Sequence, residues 1–144
     1  MSNTVETGPP VMAGNLQDPR VQAVLAYQQQ VAAGDLGAAR TVFWPDVRYT
    51  VGGRNLLSGT YQGPDEVMGY FGRLFELTDG TYTISRMLWL TGGDEVGLHS
   101  RNHATRGGRS LDWDELIVFR FVDGRKKEIS HFSADQYGVD ALLG

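Results

Sequence analysis

Beyond Gly80 the chain is cut into four long stretches of strand-forming residues by three turn pairs, Gly92-Gly93, Gly107-Gly108 and Asp123-Gly124. Two-residue loops of this chemistry join antiparallel strands, because the turn that matches the twist of a hairpin needs positive φ, which glycine adopts at no steric cost. The stretches over about 81–91, 95–106, 109–121 and 125–133 therefore predict a meander of long antiparallel strands. A sheet of this kind buries one face, and the residues able to cover it come earlier in the chain.

Those earlier residues read as helices. Asp18-Pro19 supplies an N-cap and a proline at the first helical position, and Val21, Val24, Leu25, Val31 and Ala32 follow at helical spacing, with Tyr27 on the same apolar side. Gly34 stops this helix and Asp35 caps a shorter one through Phe43, which Pro45 ends. A third helix follows Gly63-Pro64-Asp65-Glu66 and buries Val67, Tyr70, Phe71, Leu74 and Phe75. Short strands over 47–51 and about 56–61 flank Gly52-Gly53, and 135–143 forms a short closing helix. Residues 1–17 mix Ser, Asn, Thr, Gly and Pro without period and predict a flexible N-terminal arm, or one that wraps a partner subunit, ahead of a single α+β domain over 18–144.

With 144 residues and no cysteine, the chain suits one domain without disulfides or thiolate metal sites. A net charge of −4 offers no basic field for nucleic acid or anionic lipid. No apolar run approaches the ~20 residues of a membrane span, and the first fourteen residues lack the basic start and apolar core of a secretory signal, so a cytoplasmic location is expected. The glycine pairs lack the strand-to-helix context of a phosphate loop. His99 and His103 share a strand face with Asp112 as an ion-pair partner but have no third ligand, so neither metal nor cofactor is expected.

The Gly107-Gly108 turn also fixes which residues face each other, since a two-residue loop pairs positions whose numbers share one sum. Leu98, Ser100, Asn102 and Ala104 then stand opposite Ile117, Glu115, Trp113 and Leu111 on one face, which has the composition of a pocket wall. His99, Arg101 and His103 stand opposite Leu116, Asp114 and Asp112 on the other, which is solvated or an interface. Glu115 is conspicuous on the apolar face, because a carboxylate there costs free energy unless a partner compensates. It is either a functional group or a glutamate tied to a backbone amide or to Arg54.

The motifs Ala33-Gly34-Asp35-Leu36, Trp44-Pro45-Asp46-Val47, Gly59-Thr60-Tyr61-Gln62-Gly63, Val118-Phe119-Arg120-Phe121-Val122-Asp123-Gly124 and Asp135-Gln136-Tyr137 occur in this order across residues 21–143. Together they resemble the SnoaL-like polyketide cyclase family of the nuclear transport factor two-like, or ketosteroid isomerase-like, superfamily. The resemblance implies a cone-shaped α+β fold with N-terminal helices in the concave face of a curved antiparallel sheet, a deep apolar pocket, and a homodimer formed through the outer sheet face. In steroid isomerases of the superfamily a tyrosine precedes the Gly-Asp aspartate by eight residues, and Tyr27 matches that spacing to Asp35. Their base and oxyanion carboxyls fall at Val51 and Ile117, which excludes that mechanism here. SnoaL-type cyclases tend to end the motif Glu-His-Trp-Asp in an acid/base aspartate; this chain reads Glu128-Ile129-Ser130-His131, with His131 at that position.

Strand alternation puts Ile129, His131 and Ser133 on the face that the match assigns to the pocket. His131 is the first candidate for proton transfer, with Glu115 orienting it and Tyr27 or Tyr49 stabilising an oxyanion. Each also has a plain reading, as a satisfied core histidine or as core tyrosines. Trp89, Ser100, Asn102, Trp113, Ile117, Phe119 and Ile129 are expected to line the pocket, while Asp46 and Asp135 suit a turn and a helix cap. Two functions follow: a cofactor-independent cyclase, isomerase or epoxide-opening enzyme on a small hydrophobic carbonyl or epoxide compound of the polyketide type, or a non-catalytic protein that binds such a metabolite or assists a synthase. They differ in whether His131 and Glu115 converge on one point of the cavity.

Overall fold

The computed structural model describes residues 8–144. In chain order the elements are β1 (Val11–Gly14), α1 (Pro19–Ala32), α2 (Leu36–Arg40), β2 (Phe43–Val51), β3 (Gly59–Gln62), α3 (Gly63–Leu77), β4 (Thr83–Gly92), β5 (Glu95–Arg106), β6 (Arg109–Val122), β7 (Arg125–Ser133) and α4 (Gln136–Leu143). The seven strands form one curved sheet in the order β1-β4-β5-β6-β7-β2-β3. β4 to β7 are the expected antiparallel meander, but β2 runs parallel to β7 and β1 parallel to β4, so the sheet as a whole is mixed. α3 packs on β2, and α4 packs on β6 and β5.

The helix starts are built as their sequences require. Asp18 accepts the Arg20 amide at 2.8 Å, Asp35 the Ala38 amide at 3.2 Å and Asp135 the Gly138 amide at 2.9 Å. The Arg20 side chain also bonds the Asp18 carboxylate and, with the amide, holds its pKa at about 2. α2 is shorter than expected and ends at Arg40, because Phe43 is already paired with β7 through the Lys126 amide, which donates to Val42. Pro45 lies where the β2–β7 register is interrupted between Phe43 and Arg48, a place that tolerates a missing N–H. β3 starts at Gly59 rather than near 56, since the Asn55 amide and the Ser58 hydroxyl close a turn just before it.

The flexible arm expected over 1–17 is ordered in part: residues 11–14 form β1, and 1–7 lie outside the described residues. Gly14, at φ +94°, lets β1 approach β4 so closely that a Cβ would meet the Trp89 carbonyl oxygen at 2.1 Å. Among the described residues no helix is long and apolar enough to cross a membrane.

The β5–β6 register is the one the turn arithmetic predicts, Leu98 with Ile117, Ser100 with Glu115, Asn102 with Trp113 and Ala104 with Leu111. The inward residues of both strands are buried in strict alternation, from Val96 to Ala104 and from Trp113 to Phe121. On the outer face Arg101 pairs with Asp114 at 3.3 Å and the His103 Nδ1 lies 2.9 Å from Asp112.

β7 breaks its own alternation. Arg120 pairs with Glu128 but Phe121 pairs with Lys126, so one extra residue of β7 bulges and both Lys127 and Glu128 lie on the outside. The bulge turns Lys126 inward, where it is only 2% exposed. Its Nζ stands 4.3 Å from the Tyr27 ring centroid, 4.7 Å from Phe119 and 5.0 Å from Phe43. The π faces favour the ammonium, yet burial dominates and brings the Lys126 pKa down to about 7. A lysine in the unfolded chain titrates near ~10.4. Between these values the unfolded chain holds a proton that the native chain has released, so the burden of Lys126 on stability is full below pH ~7 and is relieved as pH rises towards ~10. Urea midpoints at pH 6, 8 and 9.5 should therefore rise by an amount equivalent to a few (~2–4) kcal/mol from this group. Lys126→Met should remove that slope and be the more stable protein at pH 6.

Candidate functional site

The helices and the concave side of the sheet enclose a cavity of about 330 Å³. Its walls are mostly apolar, with Val31 from α1, Phe71 and Phe75 from α3, and Met87, Leu98, Ile117, Phe119 and Ile129 from the sheet. Two charged side chains line it, Glu115 and Lys126. Tyr49 and Ser100 also line it, and their hydroxyl oxygens are buried without a hydrogen-bond partner. Burial, with the neighbouring Tyr70 and Glu115 behind it, pushes the Tyr49 pKa well up, so this hydroxyl stays a donor. Burial likewise raises Tyr27 to about 12.

Glu115 is 5% exposed and its compensation lies on the side away from the cavity. The Trp113 indole N–H, two residues along the same strand face, donates to its Oε1 at 3.1 Å. The His131 Nε2 lies 2.5 Å from the same oxygen, a contact that becomes an ion pair when the imidazole is protonated. Behind the imidazole the Tyr70 hydroxyl stands 3.5 Å from Nδ1. These four side chains border a second void of about 20 Å³, the space of a single water. Glu115 is thus the wall between the two spaces, bordering both. Arg54 is not its partner: the Arg54 amide, the Asn55 side-chain amide and the Gln136 side-chain amide all donate to Asp140 Oδ1, at 3.0, 2.8 and 2.9 Å, and tie the 52–58 loop to α4.

Of the residues singled out in the sequence, Tyr27, Tyr49, Ser100, Glu115, Ile117, Phe119 and Ile129 line the main cavity. His131 does not, although it has the inward orientation expected of it. Val51 and Ile117 flank it in the sheet, and the rings of Tyr49 and Tyr70, with centroids 6.1 and 6.3 Å away, occupy the space above it. His131 and Glu115 therefore converge on each other and on the small void rather than on a point in the large cavity. Trp113 also borders the small void. Trp89 and Asn102 border neither space and are core residues, 1% and 0% exposed, with the indole N–H and both amide atoms unpaired. Trp89 stands beside β1 and Asn102 lies further towards the Gly107-Gly108 turn than Ser100. Alternation gives a residue's face and not its position along the cone.

Two contributors escape sequence reasoning. Lys126 sits in the run Arg125-Lys126-Lys127-Glu128, where nothing signals the bulge that turns one lysine inward. Tyr70 reads as one of several core positions on α3, and only the fold carries it to His131. Among the described residues no three His, Asp or Glu side chains gather as a metal-binding group.

A family model for the SnoaL-like domain matches residues 24–129. An uncharacterized protein of Mycobacterium tuberculosis is 35% identical over 113 residues, 77% of this chain and 86% of its own length. Among solved structures, Bal32a from a soil-derived mobile gene cassette has a TM-score of 0.79 at 27% identity, covering 90% of this chain and 100% of its own. A nuclear transport factor two-like protein of Burkholderia pseudomallei has a TM-score of 0.74 at 22% identity, covering 88% and 98% respectively. The matched segment runs from α1 to β7 and holds both ends of the cavity, and on this evidence the chain belongs to the SnoaL-like family and has the nuclear transport factor two-like fold.

Proposed function

We propose that the protein is an enzyme that moves a proton on a small hydrophobic carbonyl or epoxide compound, in a cyclisation, isomerisation or ring opening, with Glu115 as the acid/base and no cofactor. One observation carries the reading. Glu115 is the carboxylate that borders the apolar cavity, and it is backed by Trp113 and His131. A carboxylate held in an apolar wall reacts with what enters the cavity, while the indole and imidazole fix its position from behind. His131 takes the role of a positioning residue, with Tyr70 behind it. The unpartnered hydroxyls of Tyr49 and Ser100 are suited to donate to the oxygen on which charge develops. Membership of a family with SnoaL-type cyclases favours polyketide-like substrates and a place in natural-product biosynthesis.

The rival reading, a pocket protein that captures a hydrophobic metabolite unchanged, draws on the same apolar walls and on the placing of His131 away from the large cavity. Exchange of the α-protons of aryl ketones into D₂O, followed by mass, separates the two. The enzyme is expected to accelerate exchange, and Glu115→Gln to slow it roughly 10²- to 10⁴-fold with thermal unfolding little changed. A wild-type protein that binds these ketones without exchanging a proton would be the binder.

The outer face suits pairing of two copies. Leu90 and Phe132 are 49% and 55% exposed, and the Leu116 and Leu90 side chains both reach over Gly97 to form an apolar band. Sedimentation at micromolar concentration should show a dimer, which Phe132→Glu should weaken at least tenfold; a wild-type monomer would remove the claim.

A further inference from the structure

We propose that the Lys126 end of the cavity binds the carboxylate of an elongated ligand whose apolar body fills the cavity. The proposal deepens the reading above and rests on it only for the view that this cavity is the ligand site. Three rings from three elements, Tyr27 of α1, Phe43 of β2 and Phe119 of β6, surround Nζ at 4.3 to 5.0 Å. Lys126 and these three rings all line the cavity. Among the described residues no carboxylate lies within ion-pair distance of it. A buried lysine without a counter-ion burdens the fold, and an anionic oxygen arriving with a ligand supplies the missing charge.

The other titratable groups facing this cavity are Tyr27, Tyr49, Tyr82 and Glu115. Tyr27 touches Lys126 through its ring and is kept neutral by burial. Glu115 is too far to neutralise the lysine. Lys126 pairs with Phe121, six residues along β6 from Glu115, which is roughly 20 Å of strand. The cavity is therefore bipolar, a cation at one end and a hydrogen-bonded carboxylate at the other. A ligand that satisfies both ends is an aryl- or alkyl-carboxylic acid carrying a carbonyl or epoxide some way along its chain. Pairing draws the amine into its ammonium form, so binding should take up a proton above neutral pH.

The test is calorimetry on the full chain at pH 8 with 4-phenylbutanoate, 4-phenylbutanamide and 4-phenylbutanol, in two buffers of different ionisation enthalpy. The carboxylate is expected to bind at least tenfold tighter than the amide or alcohol and to take up close to (~) one proton per ligand. Lys126→Met, with Lys126→Gln measured beside it and both checked for folding, should bind the three probes alike. Equal binding of the three by the wild type, binding of none, or a carboxylate preference that survives both substitutions would overturn the proposal. Glu115→Gln should keep the carboxylate preference, so a failure of the proton-transfer reading leaves this result untouched.

Discussion

The register of the β5–β6 hairpin decides what this cavity is. Because strand side chains alternate, pairing Ser100 with Glu115 sends Leu98, Ile117 and Phe119 inward with them and leaves Arg101, His103, Asp112 and Asp114 outside. A slip of β6 by one residue would turn Asp112, Asp114 and Arg120 inward and Trp113, Ile117, Phe119 and Phe121 outward. The cost of that exchange is at least of the order of the net stability of a domain this size, so the register is fixed far more strongly than any single contact in it. The outer pairs Arg101–Asp114 and His103–Asp112 contribute little by themselves at their exposure. Their value is to agree with the inner face.

What the sequence makes legible follows from periodicity. The Gly107-Gly108 turn specifies every cross-strand neighbour of Glu115, and the Asp caps specify where three helices begin. Three things are not periodic and stay hidden. The β7 bulge reverses the face of Lys126, so counting back from Ile129 places that lysine outside. The parallel pairing of β2 with β7 joins segments some eighty residues apart in the chain, with no turn between them to read. The fate of His131 depends on Tyr49 and Tyr70, which reach it from β2 and α3 and fill the space that alternation alone leaves open. Orientation is a local property; access to a cavity is a property of everything packed above it.

Glu115 and Lys126 show two ways of keeping an ionisable group in an apolar interior. The glutamate is supplied with an indole donor and an imidazole from its own sheet, so its burial is compensated by the fold itself. The lysine receives only ring faces, worth ~1–2 kcal/mol each at best in a desolvated site, and gives up its proton more readily in consequence. A chain selected for stability alone would place methionine there and keep the packing. Retaining the bulge that turns Lys126 inward gives up stability at one end of a cavity whose other end is already furnished with a held carboxylate. Strain of this sort is characteristic of positions where a ligand completes what the fold leaves open.

The two ends also need the distance between them. In a medium of low effective dielectric, a carboxylate and an ammonium in contact would neutralise each other and leave an ordinary buried ion pair with nothing to offer a ligand. Set apart by six residues of β6, with Ile117 and Phe119 forming the apolar floor between, the two groups do not neutralise each other. The polar hydroxyls of Tyr49 and Ser100 cluster towards the Glu115 end, since Ser100 is its cross-strand partner and Tyr49 approaches its backing histidine. The groups proposed for proton transfer therefore lie at one end of the cavity, and the amine proposed for charge recognition lies at the other. On the proposed reading, the separation would let a single small cavity hold a molecule by one functional group while a different one meets Glu115.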